Sequence, residues 1–272
     1  MEKVLAAIAP RELLDQAAGL ERKAHALRGD GKVEEAFTAF DRAAGLYRDA
    51  AEHFKAAVCY ASAATCWNIR TGWQSLANAA TRTERAAEQA AKAAHFDYAR
   101  RLYADAASLY EQEGDGAKFS ACFYASKQAD GHLAWHLFVS GQREEEALSV
   151  TDVGWTERLS AFGRWLINTA NRLVWGYGER PARTFGTAFC LIFICALAYR
   201  FSGGVLARGV VRPVSFLESL YMSIITFTTV GFGDYLPLGG SRIFASLEAL
   251  SGILLAPLFL VALTRRYLRT YR

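Results

Sequence analysis

No proline occurs between Pro10 and Pro181. A proline inside a helix removes a hydrogen bond and clashes with the preceding turn. Its absence from a stretch that is rich in alanine at helical spacing predicts an all-α region. Lysine is missing from residues 151–272, which hold 13 Arg, 6 Asp+Glu and a net charge of +7. Residues 1–150 hold 18 Lys+Arg, 21 Asp+Glu and a net of −3. The chain of 272 residues is long enough for about two domains, and these two segments are unlike each other. An Arg-rich, otherwise apolar half suits a membrane surface. No basic stripe with interleaved aromatics lies outside that half, so no nucleic-acid partner is expected. The five cysteines, Cys59, Cys66, Cys122, Cys190 and Cys195, are odd in number and lack a paired CxxC. That excludes a disulfide framework and reads as buried, reduced thiols, which fits a cytoplasmic N-terminal half. Met1–Asp15 carries charges and no long apolar run, so it is not a signal peptide. No nucleophile–base pair and no phosphate loop is present. Neither enzymatic activity nor a cofactor is expected.

Two segments are apolar enough to span a bilayer. Residues 184–201, with Arg183 and Arg200 at the ends, would rise about 27 Å against a hydrocarbon core of about 30 Å. Residues 243–263 form the second, interrupted by Glu248 alone and followed by the basic tail Thr264–Arg272. That tail, with Arg164, Arg172, Arg180 and Arg183 before the first span, obeys the positive-inside rule and places both termini in the cytoplasm. No Arg-rich voltage-sensing helix appears. The chain stops nine residues after Leu263, so control by a folded domain is expected from the N-terminal side.

Between the spans, residues 201–214 read as a short outer turret with Gly203, Gly204 and Pro213. Ser215-Phe216-Leu217-Glu218 is a capping box that starts a helix running to Phe227. Then comes Thr228-Thr229-Val230-Gly231-Phe232-Gly233-Asp234. Successive carbonyls face one side only if the backbone alternates between ordinary and left-handed conformations. Glycine enters the left-handed region freely, whereas a residue with a Cβ loses about 1–2 kcal/mol there. Gly231 and Gly233 stand at alternate positions, as that geometry asks.

This run resembles the TVGYG selectivity filter of the potassium-channel superfamily, with Phe232 where tyrosine is usual. The resemblance covers residues 183–272. It implies potassium bound by Thr229, Val230, Gly231 and Phe232, with Gly233 completing the filter and Val230 and Phe232 packed behind it. It also implies a pore helix over 215–227, a filter on the extracytoplasmic side and four copies around one axis. Thr228, Asp234, Tyr221 and Glu248 are candidate filter supports. In the family the residue at Asp234 is braced from the pore helix, and Tyr221 stands at the matching position. Ile225, four residues before Thr229, cannot supply the carboxyl that some relatives use. Glu248, inside a span, needs a partner or water; a contact behind the filter is favoured over ion attraction. Gly252 lies where pore-lining helices of this superfamily carry a hinge glycine, and a close helix–helix contact is the other reading. Pro257 removes one helical bond. Ile253, Ala256, Leu260 and Thr264 fall on one face as candidates for the cavity and inner gate.

The N-terminal half repeats. Ala36-x3-Phe40-x2-Ala43-Ala44-x-Leu46-Tyr47 returns as Ala99-x3-Tyr103-x2-Ala106-Ala107-x-Leu109-Tyr110, 63 residues on, with Lys55 and Cys59 recurring as Lys118 and Cys122. Half of 63 is close to the ~34-residue helix-turn-helix repeat. Turn signals fall at Gly29-Asp30-Gly31, Gly72 and Gly114-Asp115-Gly116. The pattern resembles tetratricopeptide or SNAP-type solenoids, although the full tetratricopeptide signature is not matched. Such a solenoid implies a protein or small-molecule ligand, or self-association, on one face. His132 and His136, four apart, read as part of an aromatic edge with Trp135 rather than as metal ligands. Residues 155–178 alternate Trp155, Leu159, Phe162, Trp165, Leu166, Leu173, Val174 and Trp175 with Arg158, Arg164 and Arg172. They read as an amphipathic interfacial helix, similar to the slide helix of other two-span channels, broken at Tyr177–Pro181.

The expectation is an all-α chain in three parts: a cytoplasmic helical-repeat domain (1–150), an interfacial helix and linker (151–182), and a two-span pore domain (183–272) with pore helix and filter at 215–234. Its expected function is a homotetrameric potassium channel in the bilayer of a plasma membrane, bacterial by its Ala/Arg bias. A weakly selective cation channel of the same fold and a membrane-tethered adaptor with a silent pore are the alternatives.

Overall fold

The computed structural model describes residues 2–68, 73–144, 150–202, 205–207 and 209–270. Gly72, Gly203, Gly204, Tyr271 and Arg272, singled out above, lie outside these. Among the described residues the chain divides into two units, one ending at Thr169 and the other beginning at Ala170.

The first unit is a stack of six helices: α1 (Glu2–Gly29), α2 (Val33–Asp49), α3 (His53–Asn68), α4 (Trp73–Lys92), α5 (Phe96–Glu113) and α6 (Gly116–Ser140). Each packs mainly on its neighbour in sequence. The core explains the alanine content. Ala17, Ala43, Ala44, Ala56, Ala57, Ala86, Ala87 and Ala90 are buried, and small side chains let helices approach closely. Tyr47, Tyr60 and Phe40 fill the wider gaps.

The 63-residue period is confirmed in the contacts, but its halving is not. One period holds three helices, so that α1–α3 correspond to α4–α6. The physical reason is helix length: three helices with short turns fill 63 residues. Tyr47 Oη donates to Glu21 at 2.7 Å, and Tyr110 Oη donates to Glu84 at 2.6 Å, 63 residues on at both ends. The Lys55 ammonium sits over the Tyr47 ring and that of Lys118 over Tyr110. The turns repeat too. Gly31 and Ala94 both adopt positive φ, as do Ala51 and Gly114, each pair 63 residues apart. After Tyr47 and Tyr110 the closing bonds match: Glu52 N to Tyr47 O and Asp115 N to Tyr110 O, both 2.9 Å. Burial pushes the Cys59 and Cys122 thiols up to about 12, and the Glu21 and Glu84 carboxylates beside them add to this.

A short antiparallel pair, β1 (Gln142–Glu144) and β2 (Val150–Asp152), leads to α7 (Trp155–Val174). The first turns of α7 lie on α6. Trp165 meets Trp135 at 4.8 Å and Phe162 meets Phe138 at 5.0 Å between ring centroids. Arg158 donates to the carbonyls of Phe138 and Val139, satisfying the open end of α6. Asn168 donates to Lys127 O and lies against Gly131, where a Cβ would meet its Oδ1 at 2.6 Å. His132 stacks on Phe96, and His136 lies tilted against the same ring.

The second unit takes the end of α7, a 3-10 turn at Gly176–Gly178, α8 (Pro181–Phe201), β3 (Val205–Ala207), β4 (Val210–Arg212), α9 (Phe216–Phe227), β5 (Tyr235–Pro237) and α10 (Ser241–Thr270). The interfacial helix ends at Val174, earlier than the sequence suggested. Gly176, Tyr177 and Gly178 are all left-handed and turn the chain into α8, where Pro181 suits the first helical turn. This start makes α8 21 residues, so the first span is longer than the 18 read from the sequence. α8 and α10 are both long and apolar enough to cross a membrane. The outer turret is not a simple turn: β3 pairs with β4 on one side and β5 on the other, all antiparallel.

Candidate functional site

The site is assembled by α9 and the six residues after it. Ser215 caps α9: its hydroxyl accepts from Glu218 N at 3.3 Å, while the Glu218 carboxylate accepts from Ser215 N at 2.8 Å. Glu218 also accepts from Arg212 at the end of β4 and from Tyr235 at the start of β5. The Arg212 guanidinium, followed by the Ser215 amide and Tyr235, holds its carboxyl at about 2. One carboxylate therefore ties the start of α9 to the strand before it and to the strand after the filter run.

The run itself takes up an alternating backbone. Thr229, Gly231 and Gly233 have φ of 60°, 50° and 79°, while Val230 and Phe232 do not enter the positive region. The two glycines stand where the sequence placed them. Thr229 was not foreseen there. As a β-branched residue with positive φ it carries strain that its surroundings must hold. Backbone bonds from Thr229 N to Thr226 O and from Gly231 N to Ile225 O bind the run to α9. Thr228 Oγ1 donates to Ile224 O at 2.8 Å. Val230 and Phe232 are 53% and 71% exposed, so more than half of each is left uncovered by its own chain. The packing behind the filter expected for them is not made within one chain. Asp234 Oδ1 is buried without a hydrogen-bond partner, so the expected bond from Tyr221 does not reach that oxygen. The Tyr221 ring meets Tyr235 edge-on at 5.7 Å.

Behind α9, three helices meet. Glu248 of α10 is 1% exposed. Its Oε2 accepts from Tyr199 Oη of α8 at 2.6 Å, and its Oε1 is hydrogen-bonded to Ser223 Oγ of α9. Ser223 Oγ also donates to Ile192 O of α8 at 2.8 Å. Tyr199 and Ser223 were not singled out in the sequence. Their only signal was a polar group facing a helix that carries a lone carboxyl. One turn further along α10, Gly252 touches the end of α9. A Cβ there would stand 1.9 Å from Phe227 O. Of the two readings for Gly252, the close approach is what the geometry displays. Pro257 lies inside α10. Ile253 and Leu260 on that helix are exposed in the protomer, as are Ala256 and Thr264. Cys190 of α8 is exposed as well, unlike the other four thiols, and all five are free.

Residues 186–269 match the family model described as "Ion channel". Neither the comparison with curated proteins nor that with solved structures gave a match. The matched residues span most of α8, the capped α9, the alternating run and nearly all of α10. This stretch of the chain is similar to that ion-channel family, and its α8 and α10 are, among the described residues, the two helices long and apolar enough to cross a membrane.

Proposed function

We propose that this protein is a potassium-selective channel subunit that works as a homotetramer. The observation that carries the reading is the alternation of left-handed backbone at Thr229, Gly231 and Gly233 within a TVGFG run. Such a backbone can turn the carbonyls of Thr229, Val230, Gly231 and Phe232 to one side, where they replace the water around a potassium ion. A second observation supports the fourfold assembly. Irregular backbone at membrane depth must be buried in protein or line water, and more than half of Val230 and of Phe232 is left uncovered by their own chain. Neighbouring copies would supply it, and would offer donors to Asp234 Oδ1. In this reading α9 aims its C-terminal partial negative charge at the ion cavity.

The six-helix stack is the control element. α7 begins in the first unit, held to α6 by Arg158 and Asn168, and ends in the second. There Arg183 donates to Arg172 O and Thr187 to Val174 O. Control through α7, whose sequence crosses from one unit to the other, is part of this reading. The basic residues flanking both spans support termini on the cytoplasmic side of a plasma membrane in this reading.

The test is the reversal potential of reconstituted protein with potassium on one side and sodium on the other. A value near the potassium equilibrium potential is expected. Robust current that reverses near zero would overturn selectivity. Removing residues 1–150 is expected to change open probability and spare selectivity; unchanged gating would overturn the control role.

A further inference from the structure

The polar node behind α9 has a hydrogen count that does not close if Glu248 is ionised. Ser223 has one hydroxyl hydrogen and two oxygen neighbours, Ile192 O and Glu248 Oε1. One hydrogen cannot lie on both lines. With an ionised Glu248, one of the two contacts would set oxygen lone pairs against each other. The other carboxyl oxygen already receives the Tyr199 hydroxyl. The remaining titratable neighbour is the Cys195 thiol of α8, also a donor. Among the described residues no Lys, Arg or His faces the carboxyl from α8, α9 or its own helix. An unpaired charge buried in this way is far costlier than a neutral acid with its bonds made.

We propose that Glu248 is held as the neutral carboxylic acid and acts as a positioning residue for the pore helix. Its Oε1–H donates to Ser223 Oγ, Ser223 donates to Ile192 O, and Tyr199 donates to Oε2. The acid proton and the Ser223 and Tyr199 hydroxyl hydrogens are then each used once, on the three contacts that join Glu248, Ser223, Ile192 O and Tyr199. The directed chain joins α10 to α9 and α9 to α8 at the level where α9 must hold the filter run. A neutral acid also explains how a carboxyl can stand inside an apolar span with no counter-ion. The proposal rests on the pore-loop reading of this unit but not on which ion passes.

The first experiment is infrared spectroscopy of the purified full-length protein at neutral pH, wild type minus Glu248→Gln. A carbonyl stretch of a protonated carboxyl, present in the wild type and lost in the variant, is expected. A carboxylate band in its place would overturn the proposal, whatever the protein conducts. The second is functional. Glu248→Ala breaks the chain and should lower the potassium-to-sodium permeability ratio by about tenfold, since buried partners are left unsatisfied. Glu248→Gln can donate to Ser223 through its amide and accept from Tyr199, so it should restore most of that loss. A Gln variant as impaired as the Ala variant would mean that the charge matters, and would overturn the neutral acid. If current proves non-selective while the infrared band is present, the ion reading fails and this proposal stands.

Discussion

The helix stack and the pore unit solve opposite problems with the same kind of element. The stack completes itself. Alanines fill its core, its Tyr47–Glu21 and Tyr110–Glu84 bonds are made within one chain, and the turns after α1, α2, α4 and α5 are closed by their own backbone. The pore unit is left open where it matters. Phe185, Phe189, Leu247, Leu250 and Leu254 face outward on α8 and α10, and more than half of Val230 and of Phe232 is left uncovered. The node around Glu248, the Gly252 contact and the Glu218 network are finished inside the one chain. A segment that is satisfied alone can act as a rigid body, whereas one that is unfinished must recruit lipid and other copies.

That contrast can be broken most forcefully at Gly252. Gly252→Ala forces a methyl onto Phe227 O and should cost about 3 kcal/mol, abolishing assembly of the pore on size exclusion while the stack keeps its helical circular dichroism. Gly231→Ala should act next. Its positive φ costs about 1–2 kcal/mol per copy once a Cβ is present, and the bi-ionic reversal potential should fall toward zero with the oligomer intact. In the stack, Tyr47→Phe and Tyr110→Phe should each lose about 1 kcal/mol in urea unfolding. The repeat requires the two losses to be alike, and a clear inequality would mean that the halves are not equivalent. Stability of the stack should also decline in alkali. The folded thiols of Cys59 and Cys122 stand at about 12 against an ordinary 9.0, so their contribution is full below pH 9 and is lost as the pH rises toward 12. A urea midpoint that rises over this range would reverse the sign and refute it. The smallest effect is a gain. Ala51→Gly and Ala94→Gly relieve left-handed alanines and should raise stability by under about 1 kcal/mol, while the reverse change at their partners Gly114 and Gly31 should lower it by about 1–2 kcal/mol.

Much of this was legible in the sequence because local rules decided it. The Ser215–Glu218 capping box, the alternate glycines Gly231 and Gly233 and the two long apolar helices are each written in adjacent residues. The 63-residue repeat was visible, but its division into three helices was not, because Gly31 and Ala94, or Ala51 and Gly114, share a backbone conformation without sharing a side chain. The three-stranded turret was missed since strands of three residues carry too few positions for alternation to register. The partners of Glu248 were missed for another reason: Tyr199 and Ser223 lie 49 and 25 residues away, and only the packing of three helices brings them together.

The contact between Gly252 and Phe227 sets a mechanical tolerance on the inner helix. With a hydrogen in place of a side chain, the α10 backbone bears directly on the carbonyl that ends the pore helix. Rolling α10 about its own axis would swing Ser251 or Ile253 into a space that admits neither. Tilting about this point moves both ends and keeps the fit. The glycine therefore works as a keyed bearing: the shaft can lean but cannot turn. A displacement of α10 that keeps this contact is therefore a pivot whose fixed point lies beside the end of α9.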